Sequence, residues 1–249
     1  MATILMPLPD EGFDLTEVAV PWRLLTDAGH EVVVATELGR APIADPLLIS
    51  GVVFGQLGAE PEPIAYYRDF ERSASRNAPL RWSDLDVSEY GGLLLAGGHA
   101  PRMRQYLGSA ELHDHVSRFW ALDRPVGAIC HGVLVLARAH TSTGRSVLAA
   151  SQTTCLPKYM ERAAFFGTAW RRGRYYRTYP AYVEDEVRAA LADPARQFVR
   201  GPRELRRRGT ATDDSPAFVV EDGRYVSARW PGDAYLFAQK FLDLLASVE

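Results

Sequence analysis

The chain has 249 residues, 47% of them hydrophobic, which suits one sizeable domain spanning 1–249. A net charge of −3 calls for neither nucleic acid nor an anionic membrane as partner. No apolar run reaches the length of a membrane span, and the start Met1-Ala2-Thr3-Ile4-Leu5-Met6-Pro7 lacks the basic region and cleavage site of a signal peptide.

Residues 3–6 read as a short apolar strand. Asp14 opens a helical pattern in which Leu15, Val18, Ala19, Trp22 and Leu25 share a face, and Gly29 closes it. Glu31 to Thr36 is a β-branched strand, so the segment is a β-α-β unit with a right-handed crossover and a parallel sheet. Residues 38–89 break this rhythm with Pro42, Pro46, Pro61, Pro63 and Pro79. They read as an insertion covering one end of the sheet, with a short helix near Tyr66 to Ser73. Gly92 to Ala96 is a strand, Ser109 to Leu122 an amphipathic helix, Val126 to Ile129 a buried strand and 131–140 a helix. Ser146 to Ala150 reads as a further strand. Residues 153–195 form a second, largely helical insertion. Phe218 to Ala228 is a hairpin turning at Asp222-Gly223, and a helix runs from Asp233 to Ser247. Alternating strands and helices predict an α/β fold, a doubly wound, mostly parallel sheet with its site at the carboxyl ends of the strands.

The chemistry centres on Cys130. The run Val126 to Leu136 gives strand, turn and helix, with Ala128 two residues before the cysteine and Gly132 two after. This is the pattern of a nucleophile elbow with cysteine in the serine position. Small neighbours are needed because the turn is tight. The helix N-terminus beneath the sulfur favours a thiolate. A cysteine after an apolar strand also reads as a small buried hydrophobe. The two cysteines, Cys130 and Cys155, form no disulfide framework, and a free thiolate survives best in a reducing cytoplasm.

His131 offers a backbone N–H to an oxyanion and a ring that titrates near neutral pH. Gly97-Gly98-His99 follows a strand at the same sheet end, where a diglycine lets backbone approach a ligand or simply makes a turn. Asp14 and Glu17 are spaced as a helix N-cap and its reciprocal partner. Glu17 also suits a protonated carboxyl facing a thiolate. His113 and His115 do not share a helix face, so no metal site is expected there. The arginine runs Arg171, Arg172, Arg174, Arg177 and Arg203, Arg206, Arg207, Arg208 read as solvated faces or as an anion-binding rim. No histidine follows His140, which disfavours an α/β-hydrolase or a triad amidotransferase. A working Cys–His pair must use His131 or His99.

Four segments in order resemble the ThiJ/PfpI superfamily. This is the class I glutamine amidotransferase-like group that includes the Parkinsonism-associated deglycase and bacterial glyoxalase III. They are Thr16-Glu17-Val18-Ala19-Val20-Pro21, Leu95-Ala96-Gly97-Gly98-His99, Ala128-Ile129-Cys130-His131-Gly132 and Ser227-Ala228-Arg229-Trp230-Pro231-Gly232-Asp233-Ala234. The resemblance implies a flavodoxin-like sheet sandwiched by helices and a Cys130 thiolate held by Glu17. Gly98 and His131 would be the oxyanion donors, with His99 beside them. It further implies a third acidic residue after the elbow, with Glu161 as the counterpart, no cofactor, and a homodimer, which the aromatic-rich insertions also suit. The implied activity is cofactor-independent attack on a small carbonyl electrophile, as in glyoxalase III or a deglycase. Hydrolysis or hydration through a Cys130 adduct is the alternative, and a redox sensor or chaperone is a third reading.

Overall fold

The computed structural model describes residues 1–54 and 58–247. In chain order its main elements are β1 (Thr3–Pro7), β2 (Glu11–Phe13), α1 (Leu15–Asp27), β3 (Glu31–Thr36), β4 (Ile43–Ala44), α2 (Pro61–Arg72), β5 (Leu80–Arg81) and β6 (Gly92–Leu95). There follow α3 (Ala110–Trp120), β7 (Val126–Ile129), α4 (Val133–Arg138), α5 (Lys158–Arg172), α6 (Val183–Ala190), β8 (Val219–Asp222), β9 (Tyr225–Ala228) and α7 (Ala234–Ala246). The main sheet runs β5-β3-β1-β6-β7-β9-β8, parallel except for the β8–β9 hairpin. A small second sheet pairs β2 with β4.

The order reverses between β1 and β6. Right-handed crossovers therefore send helices to opposite faces: α1, α2 and α7 pack together, as do α3, α4 and α6. This is the flavodoxin-like arrangement, and its crevice lies at the reversal, beyond the carboxyl ends of β1, β6 and β7. The three central strands carry almost nothing but buried side chains. That is why they read as continuous apolar runs rather than alternating ones. Gly127 lets α7 lie close to the sheet, since a Cβ there would sit 2.9 Å from the Phe237 ring.

Three expectations change. Ser146 to Ala150 is a series of turns, not a strand. The Ser146 hydroxyl donates to the Leu136 carbonyl and accepts from the Leu148 N–H, so a side chain closes locally what a ladder would have closed. The elbow helix is shorter than 131–140: a tight turn at Cys130–Gly132 leads into α4, which stops at Arg138. The first insertion does more than cover the sheet, because its Leu80–Arg81 joins β3 as the edge strand. The second insertion holds α5 and α6 as expected.

Candidate active site

β7 delivers Cys130 with φ at +59°, a left-handed conformation that a non-glycine residue adopts at a cost. The elbow's small residues have a steric cause. A Cβ on Gly132 would lie 2.2 Å from the Leu95 carbonyl oxygen, and one on Gly97 would lie 2.6 Å from the His131 nitrogen. The diglycine loop and the elbow are thus pressed backbone to backbone.

The double reading of Asp14 and Glu17 separates cleanly. Asp14 caps α1, its Oδ1 accepting the N–H groups of Thr16 at 2.8 Å and Glu17 at 3.3 Å. Glu17 does not return the bond to Asp14, whose own N–H donates to the Gly97 carbonyl at 2.9 Å. Instead Glu17 Oε2 accepts the Gly97 N–H at 2.7 Å, and the carboxyl lies close enough to the Cys130 thiol for each to act on the other's proton affinity. Its Oε1 has no hydrogen-bond partner among the described residues. Glu17 and Cys130 are both fully buried. Desolvation raises the Glu17 carboxyl well above its usual range, and the Asp14 charge adds to this. Burial likewise pushes the Cys130 thiol up, reinforced by the charges of Glu17 and Asp14, while the His131 backbone N–H opposes the rise. Two acids sharing a dry site hold their protons as a pair.

His131 places Nδ1 3.5 Å from the Cys130 sulfur. Desolvation depresses its pKa well below the ordinary value, and the nearby His99 and Arg138 act in the same sense. The His99 ring meets the His131 ring edge-on at 4.7 Å and leans on Tyr176 at 5.2 Å. Its Nδ1 is enclosed without a hydrogen-bond partner, and burial lowers its pKa to about 4. Burial therefore favours the uncharged form of each group in the centre: thiol, protonated carboxyl and neutral imidazoles. This departs from the exposed thiolate expected from the helix N-terminus, because desolvation outweighs the dipole in a fully buried turn. The Gly98 N–H donates to no protein acceptor among the described residues. His99, Cys130 and His131 bring one potential metal-ligating atom each to within 4.8 Å of one another.

Glu161 does not join this centre. Its Oε1 binds Arg177 at 2.9 Å and its Oε2 accepts the Val183 N–H at 3.0 Å, so it braces α6 and the second insertion. The insertion instead reaches the site through Tyr176 and Thr178. The Thr178 hydroxyl donates to the His99 carbonyl at 2.9 Å, and the Thr178 carbonyl accepts from Arg104 Nε at 2.6 Å. The neighbouring Tyr179 ring has the guanidinium of Arg138 over it at 4.3 Å and that of Arg104 at 5.5 Å.

A cleft of about 340 Å³ opens above His99. Leu48 and Val52 of the first insertion, Leu156, Met160 and Tyr176 of the second, and Arg206, Arg208 and Trp230 line it. Of the two arginine runs only these two residues reach the cleft lining, with the Arg208 guanidinium 5.4 Å from the Trp230 ring. Sequence reasoning missed Tyr176 and Tyr106, both of whose buried hydroxyls lack a partner. Tyr106 lies near Glu17, and burial raises its hydroxyl well above the ordinary range. Nothing in their sequence neighbourhoods distinguishes them from core tyrosines.

Residues 8–202 match the family model described as ThiJ/PfpI family-like. The chain belongs to this ThiJ/PfpI-like family. A deglycase of Pyrococcus abyssi is 25% identical over 239 residues, covering 96% of each chain. Among solved structures, the Rapid Encystment Protein of Francisella tularensis has a TM-score of 0.72 at 18% identity, over 98% of this chain and 99% of that one. Glyoxalase III of Candida albicans has a TM-score of 0.69 at 19% identity, over 97% and 96%. These two likenesses carry the fold. Among the described residues no helix is long and apolar enough to cross a membrane.

Proposed function

We propose that this ThiJ/PfpI-like protein is a cysteine enzyme acting on a carbonyl electrophile, of the glyoxalase III or deglycase kind. The observation that carries the reading is the meeting of Glu17 from α1 with Cys130 and His131 of the elbow, next to a diglycine loop whose Gly98 N–H donates to no protein acceptor among the described residues. Curated relatives named deglycase and probable glutathione-independent glyoxalase support it.

The proposed reaction, written for an α-oxo aldehyde, begins with Cys130 sulfur adding to the aldehyde carbon. The thiol proton passes through His131 or Glu17 to the carbonyl oxygen, giving a hemithioacetal. The Gly98 N–H stabilises the charge developing on that oxygen, joined by the His131 N–H as sulfur ceases to need it. His131 or Glu17 then takes the proton from the sulfur-bearing carbon and returns it to the adjacent carbon, while the hydroxyl proton of the sulfur-bearing carbon passes to the adjacent oxygen, so that the first oxygen becomes the thioester carbonyl and the second the hydroxyl. The result is a 2-hydroxy thioester, which water cleaves to a 2-hydroxy acid and the free thiol. One water enters, one 2-hydroxy acid leaves, and no electron acceptor is needed. A neutral resting site suits an uncharged electrophile, since no buried charge has to be created before it arrives.

The test is glutathione-free consumption of methylglyoxal and phenylglyoxal by the purified protein, beside Cys130→Ser and Glu17→Gln. Loss of turnover in both variants is expected. Full activity in Cys130→Ser would sink the thiolate mechanism. An inactive wild type that forms a mass-detectable adduct with an amide, ester or isonitrile would move the assignment to hydrolysis or hydration. The sensor reading predicts a reversible sulfenate on Cys130 at low peroxide, and oxidation no faster than that of a free thiol would remove it.

A further inference from the structure

His99 stands apart from the chemistry just described. The addition and proton transfer can be written without its ring, yet that ring lies against His131 with an enclosed nitrogen that bonds to nothing. An unpartnered polar atom in a buried place is unfavourable unless something offsets it.

We propose that His99, Cys130 and His131 form a three-point site for a thiophilic divalent cation such as zinc, and that its occupation withdraws Cys130 from catalysis. Zinc binds thiolate sulfur at about 2.3 Å and imidazole nitrogen at about 2.05 Å. Tetrahedral angles then place sulfur and nitrogen about 3.5 Å apart, and two nitrogens about 3.3 Å apart. The Cys130 sulfur and His131 Nδ1 already stand at 3.5 Å, the bite such an ion requires. All three donors lie within 4.8 Å. A swing of the His99 ring by an ångström or so closes the remaining gap, and no bond of its Nδ1 has to break. Both imidazoles are neutral, the form that ligates. On binding, the Cys130 S–H bond breaks, a sulfur–metal bond forms, and the proton leaves to solvent with no change of oxidation state. The cation's charge offsets the desolvation that otherwise keeps the thiol protonated. One cysteine and two histidines leave a fourth position open, and His99 also lines the cleft. The site differs from the His113/His115 pair considered in the sequence, because it joins two loops that meet only in the fold.

Binding stands on geometry alone; only the inhibitory clause rests on the thiolate reading. The test therefore reads the metal directly. The reduced, chelator-treated full-length protein is titrated with Co²⁺, following the near-ultraviolet thiolate-to-cobalt charge-transfer band, and the cobalt is then displaced with Zn²⁺. A single equivalent is expected, releasing about one proton. The band should vanish in Cys130→Ser, and affinity should fall at least about tenfold in His99→Gln. Circular dichroism checks that both variants are folded. If His99→Gln does not fold, zinc protection of Cys130 from iodoacetamide in the wild-type protein, read by peptide mass, decides in its place. The site is overturned by absence of a band, by a band that survives in Cys130→Ser, by undiminished affinity in folded His99→Gln, or by a lack of zinc protection. Where the wild-type protein turns over an oxo aldehyde, zinc should abolish turnover and chelator restore it. Zinc binding without inhibition would overturn the regulatory clause and leave the site standing.

Discussion

Replacing Gly132 with alanine puts the elbow geometry under direct strain. The added Cβ would lie 2.2 Å from the Leu95 oxygen, 2.8 Å from the Leu95 carbonyl carbon and 2.9 Å from the Ala96 oxygen. All three are backbone atoms of the central strand or its exit, so no side-chain rotation relieves the clash. Reaching an ordinary contact of 3.4 Å requires the start of the elbow to retreat by about 1.2 Å, the difference between 3.4 and 2.2 Å. Overpacking of this kind costs about 1–3 kcal/mol, and rigid backbone on the receiving side argues for the upper end. For a chain of this size about 3 kcal/mol lowers Tm by roughly 6–12 °C. The sulfur moves with the turn, and a shift of about an ångström costs on the order of 10²-fold in rate. Gly167 supplies the control. It sits exposed in α5, and a Cβ added there would meet nothing within 4 Å. Alanine there should stabilise by up to about 1 kcal/mol, raising Tm by about 2–4 °C. Scanning calorimetry and the rate of Cys130 alkylation read both outcomes. A Gly132→Ala protein melting within about a degree of wild type, with unchanged alkylation, would refute the steric account of the elbow.

The buried acids predict a pH dependence. Asp14 is raised from 3.8 to about 6, chiefly by desolvation, so the folded state holds an extra proton between these values. The stability this gives is complete below pH 3.8 and lost as pH rises through about 6. Glu17 acts in the same sense from 4.5 upward. Glu17→Gln keeps an acceptor for the Gly97 N–H, so its Tm relative to wild type should climb as pH increases above 4.5; a pH-independent difference would contradict the raised carboxyl. Glu161→Gln breaks a buried pair with Arg177, in which the Arg177 and Glu161 side chains are 9% and 2% exposed. It should cost about 3 kcal/mol in urea unfolding while leaving turnover per folded enzyme within about twofold; inactivity at full stability would restore Glu161 to the chemistry. The apolar cleft of about 340 Å³ should favour phenylglyoxal over methylglyoxal in kcat/KM, and Met160→Trp should reverse that order; equal preference in both proteins would show that the cleft does not hold the substrate.

The scaffold was legible because its constraints are local. The apolar runs at 3–6, 92–96 and 126–129 became the central strands, and the Ala128-x-Cys130-x-Gly132 frame became a left-handed elbow for the steric reason given. The hairpin formed at Gly223, with φ at +60°. Ser146 to Ala150 misled because burial alone does not separate a strand from a buried turn. The two-residue β5 was invisible inside a proline-rich stretch, since only pairing with β3 makes it a strand. Glu17 could not be assigned from spacing, because the deciding fact is that Gly97 occupies both the Asp14 N–H and the Glu17 carboxylate from a loop eighty residues away. Glu161 had the opposite fate: its partners Arg177 and Val183 lie within its own insertion, and family position alone said nothing of them.

The tie from Thr178 to the His99 carbonyl divides the molecule into parts that can change independently and one part that cannot. Most of α5 and the wall it contributes can drift in sequence, or be exchanged for a relative's, while the sheet keeps the sulfur in place. The stretch from Tyr176 to Tyr179 has no such freedom, because it grips the diglycine loop from outside and is itself pinned by Arg104 and Arg138. Specificity can therefore be remodelled by grafting, provided the graft carries its own fastening: a transplanted insertion lacking a hydroxyl at position 178 would bring a new wall and loosen the floor beneath it.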